Sequence, residues 1–152
     1  SFVSKHRYGR SWRFHVVHHS ARELNGLTAF RHSPLHIFTP DVIVWMSLFY
    51  LGYPLYIYTS LLIFQIFWDV AHHCSWIRFP PIFDRIFLSP AHHRLHHLEG
   101  LPAQNSNFGR VTALWDIIFG TFKSPREIHS QAIGLAEKQD VTTKVIGYFK
   151  KA

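Results

Sequence analysis

The feature that most constrains this chain is a three-histidine spacing that occurs twice. His15, His18 and His19 read H-x-x-H-H, and so do His93, His96 and His97. On a helix, residues i, i+3 and i+4 share a face about one turn apart, so each cluster can aim three imidazoles at one point. Brought together, the two clusters supply six nitrogen donors, more than one tetrahedral ion takes and enough for a pair of metals. A lone histidine pair is ordinarily a surface or packing feature; repetition of the same triplet is what argues for metal. Imidazole suits zinc, copper, iron and nickel alike. Structural zinc usually recruits cysteine, and Cys74 is the single cysteine here. All-nitrogen ligation by this many donors leans toward redox iron, with zinc as a substitute.

The rest of the composition narrows the setting. A chain of 152 residues is one domain's worth, and 1–152 is read as a single domain with a polar tail over 123–152. Charged residues are 16% and aromatic residues 16%, apolar for a soluble domain, in which about 25% of residues are charged. The formal charge of +7 raises nucleic acid as a partner. No nucleic-acid motif is present and the apolar content is too high, so that class is set aside. Basic residues among Trp, Tyr and Phe fit a membrane interface better. Residues 1–10 are polar and basic without an apolar stretch, so no signal peptide is expected.

Residues 1–24 read as a helix carrying the first cluster, with Asn25-Gly26 as its stop. His32 and His36, in the connector from Thr28 to Pro40, read as interfacial or hydrogen-bonding histidines. Val42 to Trp68 is an uncharged run of 27 residues, longer than the roughly 20 that span a bilayer. Pro54, just after Gly52, divides it, because proline kinks or ends a helix. The run is therefore one kinked span or a hairpin of two short helices. Metal binding favours the hairpin: a single crossing would leave the two histidine triplets on opposite sides of the membrane. Halves of roughly 11 and 15 residues reach about 16–22 Å at 1.5 Å per residue, short of the roughly 30 Å hydrocarbon core, so a re-entrant hairpin is expected. Arg22 and Arg31 before it, and Arg78 and Arg85 after it, suggest that both ends face the cytoplasm.

Asp69 and His73 follow at i, i+4. A carboxylate and an imidazole at the end of an apolar helix are costly unless paired or metal-bound. Asp69 is expected to ligate or to orient a ligand histidine by accepting its other N–H. His72 points about a quarter-turn away and is the poorer ligand. Phe79-Pro80-Pro81 breaks the chain, Ile82 to Leu88 reads as a short helix, and Leu98 to Pro102 as a turn. Val111 to Phe119 reads as a helix ending at Gly120, with Trp115, Ile118, Phe119 and Phe122 on its apolar side and Asp116 alone among them. Val141 to Tyr148 reads as a weakly amphipathic surface helix.

Together, Trp12-Arg13-Phe14-His15-Val16-Val17-His18-His19-Ser20, Ser89-Pro90-Ala91-His92-His93-Arg94-Leu95-His96-His97, Asn107-Phe108-Gly109 and Leu114-Trp115-Asp116-Ile117-Ile118-Phe119-Gly120-Thr121 resemble the fatty acid hydroxylase superfamily, also called the sterol desaturase family. The resemblance runs from His6 to about Gly147. It implies an all-α integral membrane protein with a histidine-ligated di-iron centre on the cytoplasmic side. The implied activity is O₂-dependent hydroxylation or desaturation of a lipid or sterol C–H bond, with electrons from an external reductase or cytochrome. His15, His18 and His19 match the family's second histidine box; His93, His96 and His97 match the third. His73 matches an extra histidine at the end of the preceding membrane helix, and His6 the second histidine of the first box. Asp69, His72, His92 and Asn107 are expected to support the ligands from behind. The chain departs from the pattern at its start: Phe2 or Ser1 stands where the first box should begin, and the family's N-terminal membrane helices are missing, which implies a C-terminal piece or a diverged N-terminus.

Two other classes stay open at this level. One is a non-catalytic relative that binds zinc or a single iron, motivated by Phe2. The other is a soluble histidine-rich zinc store, which would extract without detergent.

Overall fold

A computed structural model describes residues 12–33, 40–80, 82–83, 86–98, 105–125 and 133–135. His6, His36, His129 and the expected helix over Val141 to Tyr148 lie outside them. The described residues form helices and no strand: α1 Trp12–His19, a 3₁₀ turn Gly26–Phe30, α2 Pro40–Tyr50, α3 Leu55–His73, α4 Pro90–His96 and α5 Leu114–Ile118. Two isolated bridges, Phe87 with Thr112 and Leu98 with Ile133, tie the connections together.

Several boundaries differ from the sequence expectation, each for a local reason. The first helix ends at His19, not at residue 24, because Ser20 turns back and its Oγ donates to the Val17 carbonyl at 2.7 Å. Asn25 starts an element instead of stopping one. Its extended backbone makes it an N-cap: its side chain accepts from Leu27 N at 3.0 Å, and Thr28 Oγ1 accepts from Asn25 N at 3.2 Å. Among the described residues of 82–88 no α-helix forms. Leu88 N donates to Val111 O at 2.9 Å and Ala113 N donates to Ile86 O at 3.0 Å, so 86–88 is extended against 111–113. That pairing also delays the last helix, which starts at Leu114 and not at Val111.

Pro54 does divide the apolar run. Gly52 takes a φ of +72°, the left-handed region that glycine enters without a Cβ penalty, and Pro54 caps the start of α3. The Trp45 and Tyr58 rings stack at 5.9 Å. In one continuous helix thirteen residues would separate them by about 20 Å, so α2 and α3 fold back on each other. Between them Val44, Trp45, Leu61, Phe64, Gln65 and Trp68, with Arg110 and Val111, line a cavity of about 160 Å³. Among the described residues no helix is long and apolar enough to cross a membrane.

Burial is inverted relative to a water-soluble domain. The hairpin presents Ile43 (68% exposed), Phe49 (68%), Leu55 (77%) and Phe67 (73%) outward, while His18, His19, His72, His73, His92, His96 and His97 are buried. Large exposed apolar surface and buried polar side chains are each informative departures from the usual pattern. The interior is small and polar, and it sits where α1, the C-terminal end of α3, and α4 meet.

Candidate metal centre

Each contributing element ends or turns where it must present imidazoles. Pro90 occupies the first turn of α4, where its missing N–H costs nothing and its fixed φ suits a helix start. Ser89 does not cap that helix with its side chain. Its hydroxyl pairs with His92 Nδ1 at 2.9 Å instead, turning His92 away from the centre and against Phe122. α3 ends at His73, delivering that side chain to the site.

The described residues contain two groups whose donor atoms lie within 4.8 Å of one another: His18, His73, His93 and His97, and His15, His19 and His96. Each H-x-x-H-H triplet is therefore split between two groups instead of aimed at one point. His15 and His19, i and i+4, stay together; His18 goes to the other group. His93 and His97 stay together; His96 crosses over. The i, i+4 pairs share a helix face most closely, and the remaining residue of each triplet is displaced around the axis toward the neighbouring group. The interleaving packs the groups tightly. His19 stacks on His97 with centroids 4.4 Å apart and planes 21° apart, and His18 meets His97 at 4.6 Å.

Tautomers follow from the partners. A carbonyl only accepts, so a ring nitrogen against one carries the proton. His73 Nδ1 donates to Asp69 O at 2.6 Å, which leaves Nε2 as a lone pair beside His18 Nε2 (3.1 Å) and His93 Nε2 (2.9 Å). His96 Nδ1 donates to Ser106 O at 2.8 Å, leaving its Nε2 for the other group. Separations of 2.9–3.1 Å between ring nitrogens suit a shared ion: donors about 2.0–2.1 Å from one centre stand about 3 Å apart. Burial, reinforced by neighbouring imidazoles, pushes the His19 and His93 pKa values well below the ordinary 6.5. Burial also brings His96 down to about 4, although the Ser106 carbonyl and the Asp116 charge pull the other way. These rings are neutral at pH 7, the form that binds metal.

The supporting residues divide by role. Asp69 does accept the second N–H of His73, but through its backbone carbonyl; its carboxylate forms an ion pair with Arg110. His72 Nε2 donates to Leu88 O at 2.5 Å, and the ring lies between Trp68 (5.2 Å) and His93 (5.1 Å, 21°), outside both groups. Asn107, in the left-handed region at φ 52°, clamps three segments: Oδ1 accepts from Lys123 N at 2.9 Å, and Nδ2 donates to Lys123 O at 3.0 Å and His92 O at 3.3 Å. His32 lies flat on His18, at 4.7 Å and 15°.

Sequence reasoning missed Ser106, whose contribution is a backbone carbonyl and leaves no residue signature. It also left Asp116 as a packing residue. Asp116 is fully buried; its carboxylate accepts from Phe108 N (2.7 Å), Gly109 N (2.7 Å) and Thr121 Oγ1 (2.6 Å). The signal was available, since a lone carboxylate in an apolar run is costly unless fully hydrogen-bonded.

Fold and site define a helical protein with a paired, all-imidazole centre able to hold metal. Comparison with known proteins gives the family. The fatty acid hydroxylase family model matches residues 3–121. The chain is 31% identical over 134 residues to an ornithine lipid hydroxylase of Rhizobium tropici, covering 88% of this chain and 40% of that protein. It is 32% identical over 122 residues to the alkylglycerol monooxygenase of Homo sapiens, covering 80% and 27%. It is 32% identical over 111 residues to the lathosterol oxidase of Rattus norvegicus, covering 70% and 33%. No solved structure matches. The chain belongs to the fatty acid hydroxylase family, and it spans well under half the length of these relatives.

Proposed function

We propose that this chain carries the metal centre of a membrane-associated, iron-dependent lipid oxygenase that hydroxylates or desaturates a lipid or sterol C–H bond with O₂. The observation that carries the reading is the interleaving of seven imidazoles into two adjacent groups, on a chain whose relatives are named as lipid and sterol hydroxylases and oxidases. His18, His73, His93 and His97 would hold one iron, and His15, His19 and His96 the other. His6, which lies outside the described residues, is proposed as a further ligand by its place in the sequence. When bound, the two irons supply O₂ activation and the oxidising power for the C–H bond; the protein supplies placement and dryness.

The chain's own residues support this chemistry in three ways. Asp69 O and Ser106 O fix the tautomers of His73 and His96, so that lone pairs face inward. Burial keeps His19, His93 and His96 neutral, ready to ligate. The apolar cavity between α2 and α3 borders Trp68, which touches His72, which in turn stacks on His93. An apolar substrate would approach the centre from that side. The outward apolar face of the hairpin suits a re-entrant seat in the bilayer. Arg22, Arg31 and Arg78 around it favour the cytoplasmic leaflet. Electrons would come from a reductase or cytochrome, the donor that the family resemblance implies.

The test is metal analysis and lipid turnover on protein purified from membranes in detergent. Two irons per chain, and a lipid product that forms only with O₂ and a reductant, are expected. One zinc and no product would overturn the reading in favour of a non-catalytic metal-binding relative. Recovery in the soluble fraction without detergent would remove its membrane half.

A further inference from the structure

Among the described residues, a carboxylate held by N–H groups stands behind the three-histidine group, whereas the carboxylate near the four-histidine group is ion-paired. His96 takes its orientation from the Ser106 carbonyl, which opens the segment 106–109. That segment is held at its far end by Asp116, through the Phe108 and Gly109 N–H groups, and at its middle by Asn107. Gly109 is required there: a Cβ would come within 2.5 Å of Leu88 Cδ1 and 2.9 Å of Asp116 Oδ2, and would collide with the Thr112 carbonyl. The segment thus fits closely around the carboxylate. Asp116 meets its charge with two N–H groups and one hydroxyl, whereas the Asp69 carboxylate, near the other group, is paired with the Arg110 guanidinium. An anion satisfied by dipoles keeps its field; an anion in an ion pair largely loses it.

We propose that Asp116 is a positioning residue specific to the three-histidine group: it locks segment 106–109 so that Ser106 aims His96 Nε2 at the ion, and its charge, met among the described residues by N–H and hydroxyl dipoles, favours a cation there over the cation of the other group. This rests on the metal reading above. The pull of Asp116 on His96 toward higher basicity is in the same direction. A consequence is that the two ions differ in affinity for a reason built behind the ligands and not in their number alone.

The test is titration of chelator-stripped protein in detergent with Co²⁺ alone, each site followed by its visible absorption. Wild type takes up two Co²⁺ per chain. In Asp116→Asn one ion binds with unchanged affinity and the other weakens about 10–100-fold, the usual cost of removing an orienting partner behind a ligand. A purely architectural role would instead lower the melting temperature and weaken both ions equally, and that result overturns the proposal, as does unchanged binding of both. Thr121→Val keeps the charge and both N–H bonds and removes one donor. It serves if Asp116→Asn does not fold: a several-fold loss confined to the same ion supports the proposal, and equal change or no change in the two overturns it. Failure of wild type to bind two Co²⁺ would instead strike at the metal reading itself.

Discussion

The two histidine groups are built from the same two sequence triplets, yet they are held differently. The four-histidine group draws on α1, α3 and α4, and His73 brings it the end of the hairpin. The three-histidine group draws on α1 and α4 alone and leans on segment 106–109 and α5. One is braced by a helix that reaches out toward the apolar surface, the other by a buried carboxylate. The lesson is that equivalent motifs do not make equivalent sites. The imidazole triplets are repeated, but the supports are not, and supports behind a ligand set how tightly and in which orientation a metal would be held.

The largest effect is expected where the groups touch. His97 belongs to the four-histidine group and stacks on His19 of the other. His97→Ala is expected to lose both ions and all turnover, whereas His15→Ala is expected to lose one ion and keep the other. Metal content after gel filtration checks both, and equal loss in the two variants would break the distinction between the groups.

A smaller effect comes from what the groups share, burial of neutral rings. The folded-state pKa of His96 lies at about 4, against 6.5 in an unfolded chain. Between those values the unfolded state binds more protons, so the stability of metal-stripped protein falls as pH drops through that window. Protonation of the buried His96 ring is the cost that weakens the fold as pH falls through this window. The melting temperature of stripped protein is expected to fall steadily from pH 7 to pH 4.5; a flat profile would mean that the rings are not buried as described.

The smallest concerns His72, which lies outside both groups. His72→Phe keeps a ring between Trp68 and His93 but leaves the Leu88 carbonyl without its donor. A stability loss of about 1–3 kcal/mol is expected from the unsatisfied buried acceptor, with both ions retained. Loss of an ion in this variant would promote His72 to a ligand and blur the comparison.

How much was legible in the sequence varied with the range of the interaction. The triplets and the break at Pro54 follow from helical spacing and local covalent preference, which a linear pattern carries; His72 stands outside both groups, and Asp69 meets His73 through its backbone carbonyl and not its carboxylate. The hairpin, expected in halves of about 11 and 15 residues, has helices of 11 and 19, because α3 continues past the apolar run to deliver His73. Residues 69–73, with polar Asp69, His72 and His73, extend the helix without interrupting it, and hydropathy does not mark where it ends.

The sequence by itself determined the donor chemistry: two imidazole triplets, with an apolar hairpin standing between them in the chain. Only the tertiary structure decided how those donors are shared. The split of each triplet between two groups appears only where α1, the end of α3 and α4 come together. The supports behind α4 come from far along the chain: the Phe87–Thr112 bridge, the Ser106 carbonyl behind His96, and the buried Asp116 that anchors the loop. A backbone carbonyl has no residue identity, and a carboxylate in an apolar run shows that it needs partners without naming them. Those partners exist only once the chain has closed around them.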